Sequence, residues 1–274
     1  MILFPNCKIN IGLHITKKRE DGFHDLETVF YPLPWTDILE ITPLPQANHH
    51  TIEFKSTGTR IYGSKDHNLC VRAYELLAAD FNLGPVKMHL HKVLPIGAGL
   101  GGGSADAAYA LKGLNNLFKL GLSAQQLESY AVILGSDCPF FIQNQPVYAT
   151  GRGNIFESIK LSLDGYFFVL VKPRIHISTA EAYAGVQPQL PKTSLKELIK
   201  KPIDQWKNSI SNDFEKTILD KHPSIKKIKK RLYEEGAIYA AMSGSGSTVY
   251  GIFKEEVDLH LHFRSATVWQ GYGK

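Results

Sequence analysis

The chain has 274 residues, of which 43% are apolar, 21% charged and 11% aromatic. This is globular composition at a length for one or two domains, and it excludes a disordered, collagen-like or coiled-coil chain. Lys and Arg outnumber Asp and Glu by 31 to 26, a net charge of +5, which suits an anionic ligand and is too small to argue for nucleic acid.

The first residues, Met1-Ile-Leu-Phe-Pro-Asn-Cys-Lys8, lack the basic start, long apolar stretch and cleavage site of a signal peptide. Apolar runs such as 166–171 fall far short of the roughly 20 residues that span a bilayer. A cytoplasmic protein without a membrane partner is expected. Cys7, Cys70 and Cys138 have no metal-ligand spacing and are expected as buried free thiols. Residues 8–15 alternate polar and apolar like a half-buried strand; Asp21-Gly22 marks a turn, and extended stretches follow over 26–33 and 52–61. Leu69, Ala73, Leu76 and Leu77 share a helical face that ends at Gly84-Pro85, and 86–91 alternate as a strand. The glycine-rich segment 95–104 leads into an alanine-rich helix with Ala107, Leu111, Leu114 and Phe118 at helical spacing. Ser123 with Gln126 is a capping box for a helix that stops at Gly135.

After residue 155 the pattern restarts. A buried strand is predicted over 166–172, and Ser178 with Glu181 caps a helix beginning near Thr179. Residues 192–206 and 213–235 read as helical, and a second glycine-serine turn, 242–247, precedes a strand over 248–253. Strands and helices mix in both halves, which predicts an α+β chain of two domains, 1–155 and 156–274.

Five glycines fall in the seven positions from Gly97 to Gly103, directly before a helix. Closely approaching backbone N–H groups and a helix N-terminus together make a phosphate cradle; a merely tight turn needs one or two glycines. Ser104 is suited to cap that helix or to reach a phosphate or its metal. No Gly-Lys-Ser/Thr follows, which excludes the Walker pattern. The region about 20 residues on is the helix opened at Ser123, not the acid-ended strand of a dinucleotide fold.

Pro95-x-Gly-x-Gly-Leu-Gly-Gly-Gly-Ser104, Pro5-Asn-Cys-Lys-Ile-Asn-Ile-Gly-Leu13 and Ser243-Gly-Ser-Gly-Ser-Thr-Val249 resemble, in order and spacing, the three motifs of the GHMP kinases. Arg19-Glu-Asp-Gly-Phe-His24, Asp66-His-Asn-Leu69 and Leu134-Gly-Ser-Asp-Cys-Pro-Phe140 resemble the member of that family whose substrate is a cytidine diphosphate ester of a sugar alcohol. The resemblance implies an N-terminal domain like domain 2 of ribosomal protein S5, a ferredoxin-like C-terminal domain, and ATP with Mg²⁺. It places ATP on Pro95, Gly97, Gly99, Leu100, Gly101, Gly102, Gly103 and Ser104, with Asn68 and Lys92 at the adenosine end. Asn68 equally suits a helix N-cap.

The same resemblance implies that Asp137 takes the hydroxyl proton and that Lys8 orients and activates it. Read without the family, Asp137 is a helix-capping aspartate and Lys8 a solvent-facing strand lysine. On the substrate side it implies Phe23 stacked on cytosine, His24 at the base edge, Tyr183 as the second ring, Asn10 and Thr179 toward the diphosphate or sugar alcohol, and Gly244 and Ser245 near substrate or γ-phosphate. Cys7 stands where an alanine is usual, a departure that would make the site sensitive to thiol reagents. Asp106, in the first turn of the phosphate helix, reads as structural. The basic run 226–231 leaves Ile225, Ile228 and Leu232 on one face and reads as a solvated helix face, and the pairs His89/His91 and His260/His262 as surface histidines. The expected partners are small molecules, with no nucleic acid, no metal site of protein ligands, and a monomer or weak homodimer. Other GHMP kinases, of the mevalonate or homoserine type, and a non-catalytic nucleotide-binding module are the alternatives.

Overall fold

A computed structural model describes residues 1–44 and 51–273. In chain order it holds β1 (Ile2–Leu3), β2 (Asn6–Lys18), β3 (His24–Thr36), β4 (Ile38–Pro43), β5 (Ile52–Gly58), α1 (Leu69–Asp80), β6 (Val86–Lys92), α2 (Gly102–Leu117), α3 (Ala124–Leu134), α4 (Phe140–Gln143), β7 (Val147–Thr150), β8 (Ile155–Ser158), β9 (Phe167–Lys172), α5 (Thr179–Ala184), α6 (Leu195–Leu198), α7 (Asp213–Lys221), α8 (Pro223–Glu234), β10 (Tyr239–Met242), β11 (Val249–Phe253) and β12 (Thr267–Tyr272). The chain divides into two compact units. The first is Met1–Cys7, Trp35–Ile96 and Gly101–Gln145; the second is Lys8–Pro34, Gly97–Leu100 and Pro146–Lys274.

The first unit carries the sheet β1-β4-β6-β5, antiparallel except for the parallel pair β5–β6. In β6, Val86, Met88, Leu90 and Lys92 are buried while Lys87 and His91 are exposed, the alternation that the sequence predicts. α2 approaches the sheet closely at Gly113, where a Cβ would come within 2.7 Å of Ile41 and Leu3; only a residue without that atom fits there. Asn68 caps α1 by accepting from Cys70 N–H at 2.9 Å, and Ser123 with Gln126 forms the full capping box of α3.

The second unit carries two sheets, β2-β3-β7-β8 and the wholly antiparallel β10-β11-β9-β12. The helices α5, α7 and α8 add Ala182, Phe214, Ile218, Ile225, Ile228 and Leu232 to one apolar core with Val169, Val171 and Val249. The basic face of α8 is outward as predicted, with Lys229 on Glu215 at 2.6 Å and Arg231 on Glu235 at 2.5 Å. No helix among the described residues is long and apolar enough to cross a membrane.

Three expectations are corrected. β2 is not half-buried: every residue from Asn6 to Ile15 is buried, because its polar side chains bond one another and neighbouring strands rather than water. The helical stretch 192–206 is α6 and a separate 3₁₀ turn over Ile203–Asn208, with Pro202 between them. The stretch 213–235 breaks at His222, just before Pro223. A residue preceding proline is held out of the helical region, so each proline ends what periodicity alone would continue. β4, β7, β8 and β12 carried no turn-bounded pattern of their own and lie outside the predicted elements.

Candidate active site

Within the second unit, three distant stretches of sequence meet. Lys8 N–H donates to Leu100 O at 2.9 Å, and Asn10 N–H donates to Ser243 Oγ at 3.2 Å. Ser243 Oγ donates to Gly99 O at 2.7 Å, and Thr248 N–H donates to Ala98 O at 3.3 Å. Gly99 has φ +77°, and a Cβ on it would lie 2.0 Å from Ser243 O. The glycine is therefore required both by its left-handed backbone and by the adjoining turn. Gly244, at φ +54°, has its carbonyl held by Asn212 Nδ2 at 2.8 Å. Ser245 is half-buried in the same turn. The N-terminal strand, the glycine loop and the glycine-serine turn thus form one hydrogen-bonded junction.

Lys8 is 4% exposed, which excludes the solvent-facing strand lysine. Its Nζ donates to Asn10 Oδ1 at 2.6 Å and lies 4.4 Å from the centre of the Phe30 ring. Asn10 also donates through Nδ2 to Thr28 Oγ1 at 3.0 Å, and Thr28 donates to Gly12 O at 2.6 Å. Lys8 and Asn10 are thus a fixed pair. The neighbouring Cys7 is 0% exposed, so the thiol-reagent sensitivity expected of it lacks access. All three cysteines are buried thiols outside any disulfide, as expected.

The first unit holds the rest of the glycine loop. Gly101, at φ +69°, is the N-cap of α2, and no side chain caps it. Ser104 is therefore not the cap but the third helical residue; burial pushes the Cys138 thiol up to about 11, with Ser104 opposing. The first-turn N–H groups of a helix have no intrahelical acceptor and carry partial positive charge, which makes this uncapped end an anion site. Gly103 is exposed, and a Cβ on it would meet nothing within 4 Å.

Beneath that turn lies a buried charge triad. Lys92 Nζ reaches Asp37 Oδ2 at 2.5 Å and Asp106 Oδ2 at 2.6 Å, with side-chain exposures of 4%, 0% and 4%. Asp37 Oδ1 accepts from Val93 N–H at 2.6 Å and Leu94 N–H at 2.8 Å. Burial pushes Asp106 up, Lys92 opposes and Asp37 adds, leaving it near about 7. The triad pins the strand end before the glycine loop to α2, which supports the structural role expected of Asp106. Lys92, expected at the adenosine end, is committed to these two carboxylates, and Asn68 to its cap.

Asp137 lies in the first unit, half-buried in the turn between α3 and α4. The cap position of α4 is Pro139. Pro95 is half-buried ahead of the loop. In the second unit the Tyr183 and His24 rings are 4.8 Å apart and tilted by 30°, and Phe214 closes on Tyr183 edge-on at 4.8 Å. Phe23 is 50% exposed, with the Arg152 guanidinium 3.8 Å over its ring. Thr179 is the exposed first residue of α5. Sequence reasoning missed Thr28, Asp37, Asn212 and Arg152. Only Arg152 had a local signal, the flanking Gly151 and Gly153; the others act through partners remote in sequence.

Among the described residues no group of three or more His, Cys, Asp or Glu could hold a metal ion. Thr57 Oγ1 bonds both His89 Nε2 and His91 Nδ1 at 2.9 Å, while His260 pairs with Asp258 and His262 with Glu235. These contacts support the expectation of surface histidines.

Residues 68–145 match the model of the GHMP kinases N terminal domain and 194–260 that of the GHMP kinases C terminal. A protein of Bacteroides fragilis (strain YCH46), 4-diphosphocytidyl-2-C-methyl-D-erythritol kinase, is 54% identical over 271 residues, 98% of each chain. A protein of the same name from Cytophaga hutchinsonii is 48% identical over 254 residues, 92% of each. A crystal structure of 4-(cytidine 5'-diphospho)-2C-methyl-D-erythritol kinase superposes with a TM-score of 0.80 at 29% identity, covering 99% of this chain and 98% of that one. The homoserine kinase of Cytophaga hutchinsonii shares the fold at a TM-score of 0.67 and 13% identity, over 98% of this chain and 95% of that one.

Proposed function

The chain belongs to the GHMP kinase family, and from that premise we propose that it transfers the γ-phosphate of ATP to the 2-hydroxyl of 4-diphosphocytidyl-2-C-methyl-D-erythritol, giving the 2-phosphate and ADP. This is a step of the methylerythritol phosphate route to isoprenoid precursors. The observation that carries the kinase reading is the hydrogen-bonded junction of residues 8–10, 97–100 and 243–248. The choice of substrate is supported by the whole-length identity to relatives of that name and by the exposed Phe23 ring. The working state is a cytoplasmic monomer or weak homodimer.

ATP phosphates lie on the glycine loop and the uncapped first turn of α2. Asp137 accepts the proton of the attacking hydroxyl, and Lys8, fixed by Asn10, orients and activates it. Mg²⁺ takes most of its coordination from nucleotide phosphates and water, so it needs no cage of protein ligands. The Ser104 hydroxyl fits as one oxygen donor, while Asp106 is buried and holds Lys92 through Oδ2. When bound, the ion neutralises charge on the β- and γ-phosphates.

Gly103→Ala separates cradle from turn. The added methyl meets no protein atom within 4 Å, and replacing a helical glycine by alanine stabilises by at most about 0.5–1 kcal/mol, less in a first turn. Thermal melting should therefore rise slightly, while KM for ATP rises about tenfold or more because the methyl stands where the phosphates approach. An unchanged KM would remove Gly103 from the phosphate site. The substrate is tested by ADP release with the cytidyl substrate, mevalonate and homoserine. Turnover is expected with the first alone; turnover with mevalonate or homoserine at equal rate, or with none of the three, overturns the assignment.

A further inference from the structure

Arg152 lies in the turn 151–154 between β7 and β8, flanked by Gly151 at φ +63° and Gly153 at φ +85°. Such angles suit glycine, and the turn is closed by Gly153 N–H donating to Thr150 O at 3.0 Å and Arg152 N–H donating to Asn154 Oδ1 at 3.1 Å. Its root is fixed to the strand that follows Phe23: Leu26 N–H donates to Gly151 O at 2.8 Å, and Thr28 pairs with Ala149. The backbone thus delivers the guanidinium to the Phe23 ring at 3.8 Å. The carboxylates of the Phe23 loop are already taken, Asp21 and Asp25 both by Arg19 at 2.9–3.0 Å. The Arg152 guanidinium, 3.8 Å over that ring, makes no hydrogen bond or ion pair with any described residue, and its charge adds to that of Arg19 in holding the Asp21 carboxyl below its ordinary range.

A guanidinium that stacks through its flat face keeps its five N–H donors in the plane, directed outward from the ring edge. Stacking and bidentate binding of a phosphate oxygen pair are therefore compatible. We propose that Arg152 forms a diphosphate subsite for the cytidyl substrate: it covers one face of Phe23, leaves the other face to the base, and binds the diphosphate through its free edge. This rests on the cytidyl reading of Phe23 given above. It adds a specificity determinant, because a substrate without a nucleoside diphosphate has nothing to place on that edge. The general positive charge of the chain gives no such selectivity; a single oriented fork does.

The test uses the whole protein with a saturating non-hydrolysable ATP analogue, so that CDP cannot bind in place of ATP. Titration calorimetry measures CDP and cytidine on wild type, Arg152→Gln and Arg152→Lys. Glutamine keeps a planar group for the ring and removes the charge; lysine keeps the charge and removes the fork. Arg152 is exposed, so neither change threatens the fold. CDP affinity should fall about 10- to 100-fold in Arg152→Gln with cytidine affinity unchanged. The lysine variant should recover part of the loss. KM for the cytidyl substrate should rise by the same factor, with KM for ATP and kcat unmoved. Equal loss of CDP and cytidine would mean that Arg152 only holds the ring, and unchanged CDP affinity would mean that it binds nothing; either overturns the subsite while leaving the substrate assignment intact. A wild-type protein that binds neither ligand overturns both.

Discussion

Asp137→Asn should lower kcat by about 10²- to 10⁴-fold, the usual contribution of a positioned general base, while ATP and substrate binding stay within about twofold. Asparagine preserves the size and hydrogen-bonding reach of the side chain and removes only its capacity to take a proton. The residue sits in a half-buried turn and the exchange keeps its size, so the melting temperature should hold. Single-turnover phosphoryl transfer measured beside equilibrium ATP binding separates the cases. A rise in KM with kcat intact would assign Asp137 to binding instead. Residual activity near that of wild type would remove it from the reaction.

The second large effect is on stability. Lys92→Met removes the cation from between Asp37 and Asp106, whose side chains are 0% and 4% exposed. Breaking a buried pair by deleting one partner costs about 3–5 kcal/mol, because a charge is left in an apolar setting. Asp106 is the weak point, since its Oδ1 already lacks a hydrogen-bond partner. Burial raises its pKa from 3.8 to about 7 even with Lys92 opposing, and the variant loses that opposition. The sign follows from linkage: the folded chain keeps a proton that the unfolded chain has released, so stability falls as pH rises from about 3.8 to at least about 7. The intact chain shares that slope up to about pH 7, so urea unfolding should show a deficit against wild type that widens as pH rises above about 7, where Asp106 ionises in wild type and stays protonated in the variant. A deficit below about 1 kcal/mol, or one that narrows with rising pH, would mean that the triad does not hold this end of α2. Adding Asp106→Leu to Lys92→Met should recover part of the loss, as two neighbours that act as a unit do.

What could be read from the chain divides by range. Caps and breaks are local, and Asn68, Ser123 and Ser178 cap the helices that they were expected to cap. Proline breaks are local too, yet a strong apolar stripe across Pro202 and Pro223 masked them. The glycine loop was legible because five glycines before a helix have few other uses. Its support was not: Ser243 reaches Gly99 across 144 residues, and Lys92 reaches Asp37 across 55, and nothing in the spacing of single charged or hydroxyl residues encodes such a partner. β2 misled for a physical reason. Polar Lys8 and Asn10 alternate with Ile9 and Ile11 as they would beside water, but here the polar side chains are satisfied by Thr28 and by each other. The rings were only partly legible: the aromatic residues were identified, while the direct approach of Tyr183 to His24 depends on how α5 sits on its core through Ala182 and Phe214.

The most direct measurement is a ³¹P spectrum of the purified chain with ATP, Mg²⁺ and 4-diphosphocytidyl-2-C-methyl-D-erythritol, followed beside ADP release. The expected result is one new phosphomonoester per ADP formed, placed on the 2-oxygen, with the diphosphate resonances of the substrate intact and the same product formed about 10²- to 10⁴-fold more slowly by Asp137→Asn. ADP release without that monoester, or a monoester at another oxygen, would contradict the proposed reaction.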